Sequence, residues 1–274
     1  MKSQVIFEEG PHKWLVIGRD DDKKKEVIDT NEYVIIHNNE AIILDPGGIE
    51  IFPQVLTELT RHISTENIKA VFASHQDPDI ASSLALWADL STDLKVYCSW
   101  VWTGFLAHFG MGTNFKLTGI PDDGMSINIG STKAKVYFVP AHYCHSSGNF
   151  SVYDPIADIL FSGDIGAALL PPGEHDMFVG EFSSHIKYME AFHLRWMPSS
   201  RALREWVNRV RTINPKMICP QHGSIFAGDN VHKFLNWLEH IDVGRWNKGQ
   251  EDVDIYHTAW MGWRFDKSLA KNQI

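Results

Sequence analysis

The chain has 274 residues, 44% hydrophobic and 22% charged, with a formal net charge of −9. That length and apolar content suit one large α/β domain, 1–274, with a sizeable core. The acidic balance argues against nucleic acid or an anionic membrane surface as a partner, since either would need a basic face.

The three cysteines, Cys98, Cys144 and Cys219, are scattered without a CxxC pair. Neither a disulfide framework nor a cysteine-ligated zinc site is expected from them. Met1 to Glu9 lacks an apolar core and turns acidic at once, so it does not read as a signal peptide. No apolar run is long enough to span a bilayer. A cytoplasmic protein is expected.

In chain order, 4–7, 14–18 and 33–37 are short β-type runs. The charged insert Asp20 to Lys25 reads as a solvated hairpin tip. Ala41 to Leu44 is a further strand, stopped by the turn sequence Asp45-Pro46-Gly47-Gly48. Helical spacing of Phe52, Val55, Leu56, Leu59 and Ile63 predicts a helix over 51–63. A strand over 68–73, a helix over 80–90, a strand over 94–98 and an aromatic helix over 99–109 follow. Short strands return at 126–129, 134–139, 149–153 and 158–161. Then come helices at 184–197 and 200–212, a strand at 216–219 and a last helix at 229–241. Strand-rich blocks followed by helices thus occur twice, as a two-sheet core with outer helices would require. The tail, 243–274, carries Trp246, Tyr256, Trp260, Trp263 and Phe265. Such a tail is expected to pack on the body or on a partner subunit.

Four segments share one placement. His75, His142, Asp164 and His222 each lie just beyond an apolar strand and beside a Gly, Pro or Ser. Loops beyond strand ends converge on a shared crevice in sheet-based enzymes. A lone histidine in such a loop is usually a packed core or edge residue. Four such loops, with Asp77 and Asp79 alternating after His75, point instead to a metal centre. Proline at 78 stiffens that first loop.

The order His75-Gln76-Asp77-Pro78-Asp79-Ile80, His142 with the following Tyr143 to Asn149, Gly163-Asp164 and Gln221-His222-Gly223 resembles the metallo-β-lactamase superfamily over nearly the whole chain. The resemblance implies an αββα four-layer sandwich with a binuclear site at one edge. Within it, the carboxylate Asp77 in place of a second histidine resembles the flavodiiron branch, and most closely the oxygen-binding diiron proteins without a flavodoxin domain. A carboxylate in place of imidazole hardens the donor set and shifts preference from zinc towards iron or manganese. Three aspartates with one bridging hydroxide about neutralise two divalent cations.

Carried over residue by residue, the resemblance gives His75, Asp77 and His142 to one metal and Asp79 and His222 to the other, with Asp164 bridging. Ile80 stands where many relatives add a histidine. Two readings follow, an open position for O2 or simply weaker metal binding. Tyr143 and His145 are candidates for outer hydrogen-bonding roles, not ligands. His185, Tyr188, Glu190 and His193 read as parts of an ordinary amphipathic helix, and Asp45 as part of a turn.

The function expected is a non-haem diiron protein with two iron ions (Zn or Mn as alternatives) that binds O2 or NO, for sensing or O2 handling. No flavodoxin-like region follows the site, so no FMN is expected in this chain. Reduction of O2 would need a separate electron donor, and sensing a signalling partner. A homodimer is expected, as is common among flavodiiron proteins. The alternative is a dinuclear metallohydrolase using a metal-bound hydroxide, which Asp77, Ile80 and the lack of a basic pocket disfavour. A third reading makes the fold a signalling module with a structural metal.

Overall fold

Two β-sheets lie face to face, and each is strictly ordered along the chain. The computed structural model describes residues 1–18, 28–91, 93–110, 116–171, 173–174 and 176–244. The first sheet has seven strands in sequence order: β1 (Lys2–Glu9), β2 (His12–Gly18), β3 (Asn31–His37), β4 (Glu40–Leu44), β5 (Ile68–Phe72), β6 (Lys95–Ser99) and β7 (Lys116–Ile120). The second has six, from edge to edge β13 (Phe226–Ala227), β12 (Met217–Pro220), β11 (Ile159–Gly163), β10 (Phe150–Asp154), β9 (Lys135–Pro140) and β8 (Met125–Asn128).

Pairing in the first sheet changes from antiparallel, β1 to β4, to parallel, β4 to β7. The parallel half has crossovers that place helices on its outer face, as parallel strands demand. These are α1 (Phe52–Leu59), α2 (Pro78–Ala81), α3 (Leu84–Leu90) and α4 (Thr103–Leu106). The helix expected over 80–90 is broken between α2 and α3, and the aromatic stretch 99–109 is a run of short turns around α4. In the second sheet only β11 and β12 are parallel, and their crossover carries α5 (Phe182–Trp196) and α6 (Ser200–Ile213). The helix α7 (Asp229–His240) follows β13.

Period-two alternation explains the layers. On β3, Tyr33 and Ile35 enter the core between the sheets, while Val34 and Ile36 enter the core under the first helix layer. On β5, Phe72 faces inward and Val71 outward in the same way. From the second sheet, Phe138, Phe150, Val152 and Phe161 complete the inner core. Its other face packs Leu160 and Ile218 against Met189, Phe192, Trp206 and Phe234 of the helices. The result is the expected αββα sandwich.

Met1 to Gly244 form one contact unit. The charged insert 20–25 and the tail from 245 onward lie outside the described residues. The strands β7 and β13 were not expected from the sequence. Among the described residues, no helix is long and apolar enough to cross a membrane.

Candidate metal centre

The centre is built where β4, β5, β9, β11 and β12 end. Parallel neighbours end side by side, so β4 and β5 deliver Asp45 and Ser74 together, the Asp45 N–H donating to Phe72 O at 2.9 Å. Asp45 is buried and takes a positive φ of 46°. Its Oδ1 accepts from the Ser74 N–H at 2.7 Å and its Oδ2 from the Ser74 hydroxyl at 2.6 Å. That hydroxyl oxygen lies 2.8 Å from His75 Nδ1. With the Ser74 proton given to Asp45, His75 donates from Nδ1, and its Nε2 faces the centre. Carboxylate support of this kind fixes a ligand's tautomer and ring orientation. Asp45 is therefore more than the turn residue expected, and the signal was available: it too directly follows an apolar strand.

Asp77 has extended backbone, with φ −66° and ψ 149°, and Pro78 opens α2 behind it. This is the geometry a residue before proline favours. His75 Nε2 lies 3.5 Å from Asp77 Oδ2 and 3.7 Å from Asp164 Oδ2. His145 Nε2 lies 3.0 Å and 3.6 Å from the same two oxygens. One donor atom from each of these four residues falls within 4.8 Å of all the others.

His142 is not in this set. Its Nε2 lies 2.8 Å from the Asp122 carbonyl, and its ring stands edge-on to Phe150 at 4.9 Å. The loop's backbone places His145, expected as an outer residue, beside His75, Asp77 and Asp164, and places His142, expected as a ligand, away from them. Tyr143 and His145 have positive φ of 59° and 78°, which turn the chain between Ala141 and Asn149. The turn is closed by Tyr143 N–H to Ser146 O at 2.8 Å and Asn149 Nδ2 to Cys144 O at 2.6 Å. His145 is driven inward, its ring packed edge-on against His75 at 4.8 Å and Trp196 at 5.5 Å. Tyr143 is left exposed.

Asp164 turns its second oxygen the other way. Oδ1 lies 3.3 Å from His222 Nε2, which is also 3.4 Å from Asp79 Oδ2. The His222 Nδ1–H donates to Asp29 O at 2.8 Å, which points Nε2 at the two carboxylates. Gln221 Nε2 donates to Asp79 Oδ2 at 3.1 Å. Gly163, at φ 58°, admits this approach, because a Cβ there would stand 3.0 Å from Ser74 Oγ. Ile80 is fully buried in the outer core with Ala81 and Leu84.

Without a cation the charges are balanced by protons. Burial would lower the His75 imidazole, but Asp164 and Asp77 overcome it and raise its pKa to about 9. Burial opposes, and Asp164 and Asp79 raise, His222 in the same way, again to about 9. Burial would raise Asp77 and Asp164, yet the histidines around them hold both carboxyls far below the ordinary range. For Asp79 burial prevails over His222 and its pKa is raised.

The donor set fits two cations. Donors each about 2.1 Å from one ion stand roughly 3.0–3.4 Å apart, close to the separations here. Asp164 Oδ1 is buried without a hydrogen-bond partner despite its nearness to His222. His75, Asp77, His145 and Asp164 Oδ2 would surround one ion, and Asp79, His222 and Asp164 Oδ1 the other. A mixed imidazole and carboxylate set suits iron or manganese.

A family profile, ODP family beta lactamase, matches residues 28–223, well over half of the chain. The chain belongs to that family. The solved chemotaxis sensor ODP of T. denticola in its apo state is 37% identical with a TM-score of 0.79, covering 89% of this chain and 96% of that one. A structure described as the peroxy diiron species of chemotaxis sensor ODP is likewise 37% identical, with a TM-score of 0.78, covering 89% and 97%. The rubredoxin oxygen:oxidoreductase of Desulfovibrio gigas shares the fold at 16% identity and TM-score 0.74, over 86% of this chain and 61% of that one. Among curated proteins, the diflavin flavoprotein A 1 of Synechocystis is 21% identical over 88% of this chain and 41% of its own length. An uncharacterized Methanocaldococcus jannaschii protein is 21% identical over 76% and 52%. The chain thus spans about half the length of these curated relatives.

Proposed function

We infer that this ODP family chain is a non-haem diiron protein that binds O2 and serves as an oxygen sensor or O2-handling protein. The observation that carries the reading is Asp164, whose two carboxylate oxygens each face a separate set of histidine and aspartate donors. The 37% identity to a protein described as a chemotaxis sensor with a peroxy diiron species supports it.

When bound, the two irons supply the redox capacity and the coordination positions that dioxygen requires. The chain's own residues do the rest. Asp45 and Ser74 hold His75 in the tautomer that presents Nε2, and the Asp29 carbonyl does so for His222. Gln221 anchors Asp79, and Phe192 and Trp196 pack on His145. Phe192 is buried, and its apolar ring lowers the local dielectric beside His145. NO is a second ligand of the same class. We place the protein in the cytoplasm as a homodimer that takes electrons from, or signals to, a separate protein.

The test is anaerobic purification, metal analysis and then admission of air. About two irons per chain, with a new absorption band in the near-ultraviolet or visible, are expected from a two-cation site. Two zincs and a colourless protein that hydrolyses esters would overturn the reading.

A further inference from the structure

We propose that His12 and His37 form a second, separate site for a divalent transition metal cation at the opposite edge of the sandwich. The two residues face each other across the β2–β3 pair, and β3 runs from Asn31, beside Gln221, to His37. Seven residues of strand put about 20 Å between that end and the metal centre described above.

The donors are already at bite distance. His12 Nδ1 and His37 Nδ1 lie 3.1 Å apart, with the rings tilted by 56° and not stacked. At a metal–nitrogen distance of about 2.0–2.1 Å, that separation corresponds to an angle of roughly 95–100°, between octahedral and tetrahedral values.

The outer support is also in place. His12 Nε2 lies 2.6 Å from Asp154 Oδ2, and the same oxygen accepts from Trp14 Nε1 at 2.6 Å. Asp154 belongs to the other sheet, is fully buried, and uses Oδ1 to accept the Ile156 N–H at 3.0 Å. His12 therefore donates from Nε2 and presents an Nδ1 lone pair, the carboxylate–histidine arrangement found behind metal ligands. Burial, and then His12, lower the His37 pKa, which favours the neutral ring that a ligand must be.

Without a metal, one proton between the facing nitrogens makes an ordinary hydrogen bond. A cation replaces it when neutral His37 moves its proton from Nδ1 to Nε2, so nothing need be released. His37 is only partly buried, which leaves room for water to complete the coordination. Two imidazoles select Zn2+, Cu2+ or Ni2+ over the harder ions of a carboxylate-rich centre.

Equilibrium dialysis of the full chain against Zn2+ tests this. Wild type should bind one more zinc per chain than His37→Asn, and His145→Ala, altered only at the other centre, should keep that zinc. Asp154→Asn should weaken it by roughly 10–100-fold. Equal zinc binding by wild type and His37→Asn overturns the proposal. In the unmutated chain, zinc should also shield His37 from diethyl pyrocarbonate, read by peptide mass. Labelling that zinc leaves unchanged overturns the proposal without reliance on any variant.

Discussion

His145 and His142 stand three residues apart and have opposite fates, which makes them the sharpest test of the ligand set. His145→Ala should lower iron affinity by more than the roughly 10–100-fold typical of losing an outer partner. His142→Ala should keep both irons and lose only about 1 kcal/mol for its hydrogen bond to Asp122. Iron analysis of the two variants under equal loading decides it. Protons give a second test. Since His75 and His222 are raised to about 9 in the metal-free protein, both rings are charged at neutral pH and must lose a proton before Nε2 can bind a metal. Loading at pH 7 should release about two protons, falling towards none above pH 9. Calorimetry in buffers of different ionisation enthalpy measures that number.

At the scale of elements, α5 ties the site together. Phe192 and Trp196 pack on His145, and His193 Nε2 accepts the Gly166 N–H at 3.1 Å, two residues beyond Asp164. His193 Nδ1–H donates to Met189 O at 2.9 Å, so the ring is held neutral. Burial pushes its pKa down to about 4, below the ordinary 6.5. The unfolded chain therefore takes up the proton first as pH falls. His193's share of stability is complete above about pH 6.5 and is lost progressively towards pH 4, about 3 kcal/mol in all. Denaturant unfolding between pH 7 and 4 should show this as a steeper loss in wild type than in His193→Gln.

The same elements show what was legible in the sequence. Near-continuous apolar runs mark β2 to β5 and β9 to β12, because both faces of each sheet are buried. The four loops with candidate ligands stand out because each follows such a run. His145 reads from the sequence as an outer residue because its direction depends on left-handed backbone at Tyr143 and His145, and neither is a glycine that would announce it. Asp45 was missed because Asp-Pro-Gly-Gly looks like a turn whether or not its carboxylate is buried. The break between α2 and α3 and the two-residue β13 leave too little periodicity to detect.

For the molecule as a whole, the seam between the sheets matters most. Asp79 and Gln221 hydrogen-bond although 142 positions apart, and the Asn31 N–H donates to Gln221 O from the other sheet. The donors come from both halves of the chain, so the centre exists only after the two sheets have met. Contacts of such sequence separation form late, because loop closure must precede them. Metal capture should then be the last event of folding and a clock for it. In stopped-flow refolding with ferrous iron in excess, iron uptake should follow the recovery of Trp14 and Trp206 burial with the same rate constant, whatever the iron concentration. Uptake that runs ahead of tryptophan burial would mean that one half of the chain holds the metal alone.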